Sequence, residues 1–288
     1  MSLRKLPEAK RFERPQNFQF DPPSDVFAKW AEQPIAAESS SDNVISIFDI
    51  IGEDPWTGGG FTARRTSAAL RSIGERDVKV QINSPGGDMF EGMAIYNLLR
   101  KHNAKVTVEV FGMAASAASI IAMAGDEVVM GGGSFIMVHK AWGLVIGNEF
   151  DFADAAETFA GFDGALADIY EARTGLKRDE IVALMSHSRG DGTWLGATAA
   201  VEKGFSDRVD EGMAADTANA SNDNRQIMAR RQTEAALAKA GFTRAQRSDM
   251  LSNLISDDPA QRDASRDAAR DAGDFTVAAR QLIDILKN

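Results

Sequence analysis

Between Asn43 and Lys140 the chain switches repeatedly between strand-like and helix-like hydrophobic periods, and this alternation restricts the fold more than any other feature. NVISIFDIIG (Asn43–Gly52) is apolar and β-rich, DVKVQIN (Asp77–Asn83) alternates with period two, and AKVTVEVFG (Ala104–Gly112) reads as a strand again. Period two sends successive side chains to opposite faces of a strand. Helical stretches lie between these strands. GGGFTARRTSAALRSIG opens on glycines and continues with helical character. In MFEGMAIYNLLRKH, Met89, Met93, Ile95, Tyr96, Leu98 and Leu99 recur near the 3.6-residue period of a helix. SAASIIAMAG is expected to form a further helix ending at Gly125, followed by the short strands DEVVMG and SFIMVHK. The order β-α-β-α-β-α-β-β predicts an α/β fold with helices packed on a parallel sheet.

On either side the pattern changes. Residues 1–42 are polar and carry several prolines, which predicts an extended or loosely ordered N-terminal arm. Residues 149–173 read as one long amphipathic helix closed by Thr174-Gly175, and KRDEIVALMSHS as another. WLGATAAVEKGFSDRVDEG is expected to give a helix and then a short return strand near Asp207–Val209. Met213–Gln226 is rich in Ala, Asn, Asp and Ser and reads as a linker. Residues 227–288 are charged, Ala-rich and helical in pattern, with a break at Asp258-Pro259. Three parts are therefore expected: an arm at 1–42, a main domain at 43–212, and a linker with a helical C-terminal extension at 213–288.

Composition removes several function classes. Apolar residues make up 44% of the 288, enough for a folded core. A net charge of −10 argues against a nucleic-acid partner, which favours a basic face. With no cysteine, thiolate chemistry, disulfides and Cys-based zinc sites are impossible. MSLRKLPEAKRFERPQNFQF is charged throughout and lacks the apolar core of a secretory signal. The apolar stretch GMAASAASIIAMAG (Gly112–Gly125) is interrupted by serines and falls short of the roughly 18 apolar residues of a membrane span.

Three short stretches can carry chemistry. In INSPGGD (Ile82–Asp88) a strand ends, Pro85 fixes one φ, and Gly86 and Gly87 precede a helix. Paired glycines let backbone N–H groups converge on a negative oxygen, as in an oxyanion hole. An ordinary strand–turn–helix corner reads the same way. In GMAASAASIIAMAG, Ser116 follows a strand and sits where a helix begins, the setting of a nucleophile presented at a sharp turn. Ser119, one helical turn later, is its rival, and tight packing of a small-residue helix explains both serines without chemistry. Of the three histidines, His102 is expected at the surface, His187 as a helix C-terminal cap, and His139 at the end of the apolar strand SFIMVH. A serine nucleophile needs a base, and the base a third group that fixes its tautomer. Asp191 in RGDGTW is the leading carboxylate, with Asp207 and Asp210 as alternatives.

Taken in order, INSPGGDMFEGMAIYNLL, VFGMAASAASIIAMAG, SFIMVHKAWG and WLGATAAVEKGFSDRV resemble the proteolytic subunit of the Clp protease, ClpP, over roughly residues 43–212. The resemblance implies a ClpP/crotonase-like spiral of ββα units with a protruding handle, matched by the helix at 149–173. It also implies Ser116 as nucleophile, His139 as general base, and Gly86, Gly87 and the N–H of Ala117 as the oxyanion hole. The family's aspartate, counted back without gaps from Trp194, falls on Gly192; a one-residue loop difference brings Asp191 into its place. Handle contacts between rings imply a homo-oligomer, and an AAA+ unfoldase partner is left open.

The extra length at both ends is similar to ClpP-related head maturation proteases of phages and prophages, which trim capsid and scaffold proteins. The expected function is thus a serine endopeptidase acting on capsid or scaffold proteins, in the host cytoplasm or inside a phage prohead. No cofactor, metal, nucleic acid or membrane is expected. The alternatives are an inactive assembly protein on the same fold and a crotonase-like acyl-CoA enzyme.

Overall fold

The structure is a computed structural model, and it describes residues 4–9, 15, 18–19, 21–33, 41–53, 60–213 and 222–255. The alternation read from the sequence becomes a mostly parallel sheet. Its strands are Val44–Ile47 (β2), Val78–Ser84 (β3), Val106–Ala115 (β4), Glu127–Gly131 (β5) and Arg208–Asp210 (β9), paired in that order and all parallel. Between them run the helices Ala63–Ile73 (α2), Met89–Arg100 (α3) and Ala117–Ala122 (α4).

Local chemistry sets the helix ends. The Thr62 hydroxyl accepts from the Arg65 N–H at the start of α2, and the Asp88 carboxylate accepts from the N–H groups of Phe90 and Glu91 at the start of α3. The core forms where the two periods meet. Val80 and Ile82 of β3 and Val106, Val108 and Val110 of β4 are buried together with Ile95, Tyr96 and Leu99 of α3. Each such burial contributes about 1.5–3 kcal/mol.

The strand β4 does two jobs. Its first half pairs with β5, while Met113–Ala115 pairs with Phe135–Val138 (β6). Thr193–Gly196 (β8) lies antiparallel to β6, with Val138 opposite Thr193. Three helices and a strand complete this region: Leu144–Val145 (β7), Glu149–Thr174 (α5), Arg178–Ser186 (α6) and Ala197–Glu202 (α7). The helix α5 is the one expected at 149–173. Asn148 and Asp151 form a capping box at its start, and Gly175 closes it with φ +73°. Its first turns stand out from the body, with Phe150 and Phe152 exposed, whereas Phe162, Leu166, Ile169 and Tyr170 are buried.

Several expectations need correction. The helix in the small-residue stretch stops at Ala122 rather than Gly125, because the Ala124 and Gly125 N–H groups reach back only three residues, to the Ile121 and Ala122 carbonyls, and the last turn tightens. WLGATAAV begins as strand β8, since Trp194 and Leu195 complete the ladder on β6, and only then turns helical. His102 is buried, its Nε2 2.7 Å from the Arg76 carbonyl. His187 occupies the C-cap position of α6, as expected.

The arm is also not loose throughout. Phe18–Gln19 (β1) pairs with β7, and Ser24–Ala31 (α1) is a helix with Val26, Phe27, Trp30 and Ala31 buried. The Trp30 indole donates to the Asn83 carbonyl at 2.8 Å. Four apolar residues at i, i+1, i+4 and i+5 give α1 a face to bury, which the surrounding polar residues and prolines mask in the sequence.

Of the C-terminal extension, Asn222–Lys239 (α8) and Arg244–Ile255 (α9) are helical as expected, and α8 packs on α1. Arg231 of α8 lies 4.0 Å over the Trp30 ring and donates to the Phe48 carbonyl. The linker residues 214–221 and residues 256–288, with the break at Asp258-Pro259, lie outside the described residues.

Candidate active site

The fork in β4 builds the site. β4 and β6 run parallel with Ala115 beside Met137, and the Ser116 N–H donates to the Met137 carbonyl at 3.0 Å. Both strands end here, so Ser116 and His139 leave the same end of the sheet as neighbours. The His139 Nε2 lies 2.7 Å from the Ser116 Oγ, a full hydrogen bond and the geometry that a serine nucleophile and its base require.

Ser116 is held in an uncommon backbone state, φ 54° and ψ −125°. A non-glycine residue there costs on the order of 1–3 kcal/mol and persists only when the surroundings enforce it. Here they do. The preceding residue is locked in the sheet, the following residue begins α4, and the β4–β6 ladder fixes the N–H between them. Ser119, the rival serine, is fully buried. Its hydroxyl is engaged by the Ser116 carbonyl at 2.7 Å and the Tyr170 hydroxyl at 2.8 Å. It supports the turn and is not available as a nucleophile.

The SPGGD turn arrives beside Ser116 from β3. Gly86 has φ +88°, and a Cβ on it would lie 2.5 Å from the Ala115 oxygen and 2.7 Å from the Ser116 Cβ. Gly87 has φ +142°, and its Cβ would meet the Ile51 oxygen at 2.2 Å. Only glycine fits at either position. The two differ in what their N–H groups do. The Gly86 N–H points to the Ser84 Oγ at 3.2 Å, while among the described residues no acceptor takes the Gly87 N–H. Ala117 is the first residue of α4, so its N–H has no partner within the helix. The N–H groups of Gly87 and Ala117 are therefore two at this turn that take no acceptor among the described residues. Because α4 is six residues long, what it offers is that first N–H rather than a long helix dipole.

The far side of the histidine is different. The register of β6 and β8 places Gly192 opposite His139, and a Cβ on Gly192 would come within 2.4 Å of the His139 Cβ. Gly192 is the position reached by gapless counting, and it has φ +87° and no room for a side chain. Asp191, one residue earlier, is exposed, and among the described residues no carboxylate hydrogen-bonds the second ring nitrogen of His139. The alternatives Asp207 and Asp210 are engaged elsewhere. Asp207 pairs with Arg4 and Arg173 and accepts from the Val128 N–H, and Asp210 pairs with Arg208.

Burial pushes the His139 pKa down to about 4, against a smaller upward pull from the charges of Asp25 and Asp191. Asp25 belongs to α1 and was absent from the sequence reading. Nothing in a polar, proline-flanked segment signals that it folds back to the site. Among the described residues no group of three or more His, Cys, Asp or Glu could hold a metal ion, and no helix is long and apolar enough to cross a membrane.

The sequence also matches known proteins. The Clp protease family model matches residues 68–213, half of the chain. The ATP-dependent Clp protease proteolytic subunit of Deinococcus radiodurans is 33% identical over 110 residues, covering 38% of this chain and 54% of that protein. Proteolytic subunit 2 of Nocardia farcinica and that of Rhodococcus jostii are each 31% identical over 140 residues. They cover 46% of this chain and 65% and 68% of those proteins. The chain thus spans a little over half to about two thirds of the curated relatives it matches. The four motifs, the forked sheet and the projecting α5 have one common explanation: the chain belongs to the Clp protease family.

Proposed function

We propose that the protein is a serine endopeptidase in which Ser116 is the nucleophile and His139 the general base. The observation that carries this reading is the 2.7 Å contact between the His139 Nε2 and the Ser116 Oγ, with the serine in its constrained backbone state. Ser116 attacks the substrate carbonyl as His139 takes its proton, and the Gly87 and Ala117 N–H groups hold the oxyanion that forms. Gly86 is required because a side chain there would fill the space beside the nucleophile. His139 then gives the proton to the leaving amine, and water repeats the cycle on the acyl-enzyme. Asp191 acts on His139 through its charge, together with Asp25, rather than through a hydrogen bond.

The relatives are named as proteolytic subunits, which supports protein substrates. Exposed Trp142, Leu144, Ile146, Phe150 and Phe152 cluster at the start of α5, which supports a homo-oligomer joined through this handle. The arm and the helical extension outside the Clp-matching residues support a dedicated partner, namely capsid or scaffold proteins trimmed during phage head maturation in the host cytoplasm. One observation favours the alternative of an inactive assembly protein: among the described residues no carboxylate hydrogen-bonds His139. The test is co-expression of wild-type and Ser116→Ala chains with a candidate capsid or scaffold protein, read by intact mass. Trimming by the wild type alone is expected. Trimming by both chains removes Ser116 from its role, and wild-type chain that neither trims nor labels with a fluorophosphonate favours the assembly protein.

A further inference from the structure

The site is narrowed by the chain itself, with His139 buried and Ser116 half-buried. β7 begins five residues after His139, and an exposed strand edge is a template for another strand. That edge is already taken by β1, antiparallel, with Phe18 opposite Val145 and Gln19 opposite Leu144. Two residues on, Asp21 lines the same cavity as Ser116, His139, Gly87, Trp142 and Tyr170. The cavity that remains is about 20 Å³, room for about one water and for no peptide.

The segment is pinned at its far end. Arg247 of α9, itself buried, pairs with the Asp21 Oδ2 at 2.7 Å. The Asp21 Oδ1 is buried and has no partner among the described residues. Pro22 and Pro23 follow, which stiffen the exit from the site, and α1 then anchors the chain against the sheet and α8. On the rim of the candidate active site this ion pair joins the polar arm to the helical extension, in addition to the packing of α8 on α1 and of Arg231 on Trp30.

We propose that the strand Phe18–Gln19 with Asp21 is an intramolecular occupant of the peptide groove, held by Arg247, that shuts Ser116 and His139 off from protein substrates until it is displaced. The proposal rests on the endopeptidase reading. A tethered occupant competes at an effective concentration that a free substrate rarely reaches, so a ladder of two residues is enough to close the groove. It is also short enough to be released once the ion pair opens. Breaking a buried pair leaves an uncompensated charge, so Arg247 is the natural release point.

The test uses the full chain and reads both peptide turnover and fluorophosphonate labelling of Ser116. Arg247→Ala removes the clamp, and Gln19→Pro removes a backbone N–H from the short strand. Both are expected to exceed wild type by tenfold or more. Because the chain has no cysteine, a Gln19→Cys/Leu144→Cys pair supplies its only thiols. It is expected to form a disulfide across β1 and β7. In the Arg247→Ala background, oxidation should return the rate to the wild-type level and reduction should restore it. Equal Ser116-dependent rates in wild type and both released variants overturn the occlusion and leave the protease reading standing. Failure of the cysteine pair to crosslink overturns the placement of the strap whatever the rates. Crosslinking with no Ser116-dependent turnover in any form overturns the proposal together with the protease reading, and the crosslink separates that failure from a misplaced strap.

Discussion

The two sides of His139 are built by opposite means. On the Nε2 side everything is backbone: a serine forced into positive φ, two glycines that admit no side chain, and free N–H groups at a turn and a helix start. On the other side, among the described residues, there is charge at a distance, with Asp25 and Asp191 both exposed and neither hydrogen-bonded to the ring. The first side is over-determined by the sheet and cannot drift. The second rests on two surface carboxylates from separate segments, and it can be altered without disturbing the fold. A machine built this way should be intolerant on one side and forgiving on the other.

The largest effect belongs to the intolerant side. Ser116→Ala and His139→Ala, each placed in the released Gln19→Pro chain, should lower peptide turnover by about 10³–10⁶-fold. The two losses should not add, because the residues act as one unit. Circular dichroism should stay unchanged. A double variant that loses the full product of the single effects would show that serine and histidine act separately.

Next comes the turn that faces the serine. Gly86→Ala and Gly74→Ala both place a methyl group at positive φ, near +88° and +71°, and differ in their surroundings. At Gly74 nothing lies within 4 Å, so only the backbone cost of about 1–3 kcal/mol applies, and turnover should not change. At Gly86 the methyl meets the Ala115 oxygen and the Ser116 Cβ, so turnover should fall by about 100-fold or more beyond any loss of stability. Thermal melts and kcat/KM on the same pair of variants check this. Equal turnover in the two would mean that the turn does not shape the site.

This asymmetry also explains how much was legible beforehand. The α/β order and the long helix from 149 could be read because each is fixed by local pattern. Period and strand ends left Ser116 and His139 among alternatives, and only the resemblance of four ordered motifs singled them out. The helix α1, the strand β7 and the reach of Asp25 could not be read. Each depends on distant parts of the chain packing together, and α1 carries its four apolar residues inside a stretch that is otherwise polar and proline-rich. Gly192 was readable as a count but not as a contact, since the antiparallel pairing of β8 with β6 that sets it against His139 has no signature in WLGATAAV.

A titration separates the two sides at intermediate cost. In the folded chain burial holds the His139 pKa near 4, whereas in the unfolded chain it is about 6.5. Between these values the unfolded state binds the extra proton, so stability is complete above about pH 6.5 and falls as pH drops toward 4, by on the order of 3 kcal/mol from this group. Urea melts from pH 7 to 4.5 should show this loss in wild type and not in His139→Gln, which lacks the titrating group. His139 stays neutral over most of the same range, so the acid limb of labelling should lie well below pH 6.5 in the closed chain and move upward when Gln19→Pro lets water reach the ring. A limb fixed near 6.5 in both chains would mean that the ring is not buried by the strap.

The smallest effects fall on the forgiving side. Where a carboxylate fixes the imidazole tautomer by a hydrogen bond, its amide variant loses about 10⁴-fold in turnover. Neither Asp25 nor Asp191 makes that bond, so Asp25→Asn and Asp191→Asn should each cost less than about tenfold, because charges acting across solvent are screened. Both carboxylates pull the His139 pKa upward, so removing either should lower the acid limb, and Asp25, the stronger of the two influences, should move it further. Raising the ionic strength should reduce both shifts. A loss near 10⁴-fold for Asp191→Asn alone would mean that the loop carrying Asp191 and Gly192 rearranges during catalysis to complete a triad. The exposed Asp191 would then be the resting position of a residue that moves, rather than a distant charge.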